Sequence, residues 1–175
     1  MSENIIPIPA DYDEVKSEIW ESDLILVRNR RGNYFRAAKA CLWDDKIFCI
    51  EIKKYRGVTA IPLEQLVLRY PGRVDVYEVN PQNRWETYDR QAAIAALKNI
   101  LFSRRDLKTV LLETFWKLFN ATEETNNTVP YGSEAIRLAE RTGGMVDPRP
   151  DQTDERVKPN DLAVSPLYRY RFTFK

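Results

Sequence analysis

The C-terminal segment Tyr168-Arg169-Tyr170-Arg171-Phe172-Thr173-Phe174-Lys175 alternates without a break between aromatic residues and basic or polar ones. Successive side chains of a β-strand point to opposite faces, so a period of two over this length specifies a strand and excludes a helix. The pattern predicts a terminal strand that closes a sheet. Tyr168, Tyr170, Phe172 and Phe174 would form its buried face and the basic residues its solvated one. Such a strand needs partners, and the first half of the chain supplies them. Asp23-Leu24-Ile25-Leu26-Val27 is a nearly continuous apolar run, which predicts a buried strand. Phe35 to Trp43 and Ile47 to Ile52 flank the turn Trp43-Asp44-Asp45-Lys46 and predict a hairpin. Val58 to Pro62 follows Gly57 as a short strand, and Val74-Asp75-Val76-Tyr77-Glu78-Val79 alternates as a half-exposed strand does.

Helical spacing accounts for much of the rest. Leu63 to Tyr70, Asp89 to Phe102 and Leu107 to Asn120 (capped by Asp106) each carry an apolar stripe. Ala121 to Thr128 reads as a loop. Pro130 stops any helix before Ser133-Glu134-Ala135-Ile136-Arg137-Leu138-Ala139-Glu140-Arg141. Ser133 is placed to cap that helix, and Gly143-Gly144 to end it with positive φ. Residues 1–12, with Pro7 and Pro9, read as an extended arm barred from a central strand. Asp13 to Glu21 predicts one or two helical turns. Residues 145–166 hold Pro148, Pro150, Pro159 and Pro166 and read as an irregular surface wrap. The expected class is α+β: an antiparallel sheet or partial barrel packed with two or three helices. An N-terminal arm spans residues 1–19 and a single domain residues 20–175.

A chain of 175 residues is long enough for one domain with a real core. Its 27 basic and 26 acidic residues leave a net charge of +1, so no global field draws it to nucleic acid or anionic lipid. No apolar run reaches the roughly 20 residues of a membrane helix, and the polar start Met1-Ser2-Glu3-Asn4 predicts no secretory leader. There is no histidine. That removes the usual general base for a serine or cysteine nucleophile and the commonest zinc ligand. Cys41 and Cys49 alone make a poor metal site and are expected as buried thiols rather than a disulfide. No metal and no cofactor is expected.

The order of blocks is then informative. Asp-Leu-Ile-Leu-Val at 23–27 precedes a hairpin, then Gly57-Val58, Pro62-Leu63 and Tyr70-Pro71-Gly72-Arg73-Val74-Asp75-Val76-Tyr77. Helices follow, then Ser133-Glu134-Ala135-Ile136 before the proline-rich end. Over roughly residues 20–174 this resembles the circularly permuted papain-like hydrolases, the YiiX-type branch of the NlpC-type peptidases. Phage and prophage genomes encode a version ending much like Ser165-Pro166-Leu167-Tyr168-Arg169-Tyr170-Arg171-Phe172. The resemblance implies a catalytic histidine on the first hairpin, a polar orienter on the return strand, and a cysteine directly before Ser-Glu at a helix start. Those places fall at Ala37, Glu51 and Gly132. Only the orienter is retained, so the resemblance implies an inactive relative.

The expected function is that of a non-enzyme: a catalytically inactive hydrolase fold serving as a structural or adaptor component of a phage particle, at the tail or its junctions. Its expected partners are other virion or tail proteins, in multiple copies. The expected location is host cytoplasm during assembly and then the virion, without membrane insertion. Two alternatives stand beside it. One is a thiol hydrolase of cell-wall peptide or ester whose nucleophile has moved to Cys41 or Cys49. The other is a pseudoenzyme binding a ligand near Glu51 and Gly132. Glu51 reads equally as an ion-pair partner of Lys39 or Lys53, and Ser133 as a cap rather than a nucleophile. Arg28, Arg30, Arg31 and Arg36 interleave with Tyr34 and Phe35. Of these, Arg28, Arg30, Arg31 and Tyr34 are the expected partner contact, with protein and not nucleic acid as the partner. Trp20, Trp43, Trp85 and Trp116 are expected as core or interface anchors.

Overall fold

An apolar run such as Leu24–Val27 has to be covered on both faces. The strand it forms, β2 (Leu24–Arg28), accordingly lies inside the sheet rather than at an edge. The computed structural model describes residues 9–53, 57–102, 132–152 and 157–175. Its other strands are β1 (Pro9–Ala10), β3 (Tyr34–Trp43), β4 (Lys46–Lys53), β5 (Gly57–Pro62), β6 (Val74–Val79) and β7 (Tyr168–Phe174). They form a seven-stranded sheet in the order β1-β7-β6-β2-β3-β4-β5. All pairings are antiparallel except β1 with β7. The sheet is open, with β1 and β5 as its edges, so the partial-barrel form of the expectation does not arise. Pro9, which has no N–H to donate, sits in an edge strand as its chemistry requires.

The helices are α1 (Tyr12–Val15, continued by a 3₁₀ turn Lys16–Glu18), α2 (Leu63–Arg69), α3 (Arg90–Phe102), α4 (Ser133–Thr142) and α5 (Pro159–Ala163). The helix expected over Leu107–Asn120, its cap Asp106, the loop Ala121–Thr128 and Trp116 lie outside the described residues. The expected wrap over 145–166 is not wholly irregular, because α5 interrupts it.

The sheet divides the core in two. On one face Ile25, Val27, Ala38, Ala40 and Cys49 pack with Leu63, Leu66 and Val67 of α2. On the other, Leu24, Leu26 and Ala37 pack with Ile136 of α4 and Leu162 of α5, while Cys41 and Ile50 meet Ile94 and Leu97 of α3.

Two strand expectations are corrected here. Val74–Val79 is not half-exposed: β6 lies between β2 and β7, and only Glu78 escapes full burial. Nor do the four aromatics of β7 share a face. Val76 opposes Phe172 but Tyr77 opposes Tyr170, so Arg171 is an extra residue on the β7 side. This β-bulge turns the alternation over. Phe172 and Phe174 join the α2 side, and Tyr168 and Tyr170 the opposite one. Arg171 reaches out to Glu18.

Helix α4 also departs from its expected ends. Its N-cap is Gly132, not Ser133. At the other end Gly143 has an ordinary negative φ, and Met145 takes the left-handed conformation instead. Gly143 is small for a different reason: a Cβ there would lie 2.3 Å from the Ala92 carbonyl oxygen, where α3 crosses α4.

Candidate functional site

The three positions singled out by the family resemblance do not form one cluster. Lys39 of β3 lies directly opposite Ile50 of β4, so their side chains share a face. Alternation places Ala37 on that same face and Glu51 on the other. Ala37 is buried in the apolar cluster that holds Ile136, one turn into α4. Glu51 instead opposes Thr59 of β5 and lies on the α2 side. There Arg36 grips it with both Nε and Nη2, and Thr59 Oγ1 donates to it at 3.0 Å. Glu51 is therefore an ion-pair partner, as one of its two readings has it. Among the described residues its ion-pair partner is Arg36; Lys39 is turned to the opposite face, and the Lys53 side chain lies outside the described residues.

Gly132 opens α4 with φ 57° and ψ −125°. A Cβ there would meet nothing within 4 Å, so space does not demand glycine. The backbone does, since L-residues are strained in that region. A cysteine side chain at this point would need a different approach to the helix. Ser133, the first residue of α4, is buried and its Oγ has no hydrogen-bond partner. No imidazole exists in the chain to activate it.

The two thiols are free and face opposite sides of the sheet, Cys41 toward α3 and Cys49 toward α2. Burial pushes both thiols up from their ordinary value, which disfavours the thiolate a nucleophile or metal ligand must be.

Beneath α4 lies an assembly that sequence reasoning missed. Glu140, fully buried, accepts from Lys39 Nζ and from Tyr168 Oη at 2.8 Å on one oxygen, and from Tyr88 Oη at 2.6 Å on the other. Tyr88 Oη also meets Ser22 Oγ at 3.1 Å. Burial pulls the Lys39 ammonium down from its ordinary value, with Glu140 opposing the shift, and pushes both tyrosine hydroxyls up. The tyrosines therefore stay protonated and donate. Next to this centre, buried Asp23 accepts from Arg90 Nη1 at 2.9 Å, from the Trp20 amide at 2.9 Å and from the Val79 amide at 3.2 Å. A signal was present: Lys39 is a lone lysine within Ala37-Ala38-Lys39-Ala40-Cys41, and Glu140 falls in the stripe Ile136-Ala139-Glu140-Gly143. A charge set among buried small residues requires a buried partner.

The expected partner contact separates in the same way. Tyr34 Oη donates to Asp75 at 2.6 Å and lies 2.9 Å from Tyr77 Oη. Arg28 is bound to Asp75 as well. Both are engaged internally, whereas Arg30 and Arg31 are exposed. Trp20 and Trp43 are exposed too, so they are not core anchors; Trp85 is half-buried on the α4 side.

Neither a protein-family model nor a curated protein sequence matches this chain. Among solved structures, the chain is similar to the crystal structure of metalloprotein yiiX from Escherichia coli O157:H7, DUF1105. The TM-score is 0.58 at 13% identity, over 89% of this chain and 97% of that one. The chain has a YiiX-like fold. At that identity the likeness is one of fold alone.

Proposed function

We propose that this protein is a non-catalytic member of its fold, a permuted papain-like scaffold that works through its surface. In this reading it is a structural or adaptor component of a phage particle, at the tail or a tail junction, assembled in the host cytoplasm. The observation that carries the non-catalytic part is the opening of α4. The residue before Ser133-Glu134 is a glycine in a backbone conformation that favours glycine. The base of the resembled family falls at Ala37, which cannot take a proton and is buried in the cluster that holds Ile136 of α4. Attack on a carbonyl requires a nucleophile with a base in hydrogen-bond reach, and neither is supplied here. The buried, protonated thiols argue against a moved nucleophile. The particle assignment is supported by the resemblance of the C-terminal segment to phage-encoded sequences.

The structural neighbour is named as a metalloprotein. Among the described residues the donor chemistry does not fit a resident metal. The chain has no histidine, its two thiols lie on opposite faces of a sheet, and among the described residues no group of three Cys, Asp or Glu could hold an ion.

Incubating the folded protein with peptide and ester substrates, alongside a thiol-alkylating probe, tests the first part. We expect no turnover and no labelling under native conditions. Turnover lost in Cys41→Ala or Cys49→Ala would restore the hydrolase alternative. Mass spectrometry of purified particles from cells carrying this gene tests the second: a fixed stoichiometry is expected, and absence from particles rejects it.

A further inference from the structure

Two segments far apart in sequence meet at one end of the sheet. The β2–β3 loop is tied down by its own bonds: the Asn29 amide donates to the Asn33 carbonyl at 2.8 Å, and Asn29 Oδ1 accepts from the Arg31 and Asn33 amides at 2.8 and 3.1 Å. The Arg28 amide donates to the Arg73 carbonyl at 2.9 Å, and Arg28 Nη2 to the Gly72 carbonyl at 3.2 Å. These contacts hold the loop against the α2–β6 turn. The turn brings a second set of arginines. The Arg69 and Arg73 guanidiniums stand 5.8 and 5.3 Å from the centre of the Tyr70 ring, and Phe35 meets that ring edge-on at 5.9 Å. Phe35 is 49% exposed. Arg36 and Arg28 are neutralised by Glu51 and Asp75. Among the described residues, no ion pair includes Arg30, Arg31, Arg69 or Arg73. In a chain of net charge +1, the β2–β3 loop and the turn it contacts thus carry four guanidiniums without an ion pair among the described residues, and two of them, Arg69 and Arg73, stand beside the Tyr70 ring.

We propose that this end of the sheet is the docking surface for an acidic segment of a partner protein. Its carboxylates would engage Arg30, Arg31, Arg69 and Arg73, and an apolar side chain would cover Phe35. Three features select this occupant. The four cations named are arginines, whose planar fork binds carboxylates bidentately. Among the described residues the surface combines arginine with tyrosine and phenylalanine, the composition of a protein interface. The Tyr70 ring is already attended by guanidiniums, so of this pair of rings only Phe35 is left to stack, too little for a nucleic-acid platform. The loop's own hydrogen bonds mean that little ordering is needed on binding. The inference does not depend on the inert reading of the α4 site, because neither Ala37 nor Gly132 takes part.

The test is fluorescence anisotropy with the full chain and three labelled probes: a Glu/Asp-rich peptide containing one phenylalanine, its Lys-rich counterpart, and an oligothymidylate. We expect the acidic peptide to bind and to be released by salt. Arg30→Glu/Arg31→Glu and Arg69→Glu/Arg73→Glu should each weaken it at least tenfold, at unchanged melting temperature. Arg84→Glu, at an exposed site elsewhere, should leave it unchanged. Loss on changing only one of the two pairs would reject a joint surface. Absence of peptide binding at low salt, or tighter binding of the oligothymidylate lost in the same variants, would overturn the proposal.

Discussion

On the α2 side of the sheet, Ile25, Val27, Ala38 and Val76 meet Leu63, Leu66 and Phe174 in one continuous apolar cluster. On the α4 side the same strands present Lys39 between two apolar clusters, with Glu140, Tyr88 and Tyr168 closing over it. Apart from the Arg36–Glu51 pair near its edge, which joins strand to strand, the first face is held by removal of area from water, which is non-directional and tolerates small slips of a helix. The second is held by bonds that must all be made at once. Groups from β3, β7 and the residues before α3 converge on one carboxylate of α4. A helix shifted by one residue would leave Glu140 buried and unmatched, so the polar centre specifies where α4 sits more sharply than packing could.

If that contrast is right, the largest loss belongs to the polar side. Glu140→Leu strands a buried ammonium and two tyrosine hydroxyls, and should cost about 3–5 kcal/mol in urea unfolding. On the apolar side Leu66→Ala removes a fully buried side chain and should cost somewhat less, about 3 kcal/mol, through lost transfer energy and the cavity left behind. The two also differ in kind. Adding Lys39→Met to Glu140→Leu should recover part of the first loss, because the charge left unmatched is then gone. No neighbouring polar change should recover the second. A Glu140→Leu variant as stable as the parent would mean that water reaches the centre and that the two faces are alike.

Much of the strand frame was legible because it is local. Turn residues bound each run, and the Asp44-Asp45 hairpin turn sits between β3 and β4 as expected, with both residues at positive φ. What was not legible is whatever joins distant segments. Val74–Val79 alternates on paper, but strand order, not its own pattern, decides that it is central and covered on both faces. The β7 bulge depends on how Tyr77 and Val76 pair with it, and nothing within Tyr168–Phe174 signals the inversion. Lys39 and Glu140 are 101 residues apart, and Arg28 and Arg73 meet only because β2 and β6 are neighbours. For the candidate site, the resemblance puts Ala37, Glu51 and Gly132 together in one site. Glu51 is one residue out of phase with the face that holds Ala37, and a one-residue phase difference in a strand is a change of face.

The smallest of these effects lies where α4 meets the proline-rich segment, and it sharpens the contrast by having a pH signature. Arg137 Nε and Nη2 donate to both oxygens of Asp147 at 2.8 Å, and Nη2 also reaches the Gln152 carbonyl at 2.9 Å. The Arg137 guanidinium and the Arg149 amide hold the Asp147 carboxyl below its ordinary range, against the opposing effect of partial burial. A carboxylate with a depressed folded value adds stability above its unfolded value, near 3.9. It loses that stability as pH falls through the folded value. Asp147→Asn keeps the shape and an acceptor but loses the charge, so it should cost about 1 kcal/mol at pH 7. Melting curves of the two proteins should converge as pH drops below about 4. Leu66→Ala, by contrast, carries no titrating group and its deficit should stay level over the same range. If the Asp147→Asn gap held constant with pH, the pair would be acting through packing alone, and the α4 side would owe less to charge than its geometry indicates.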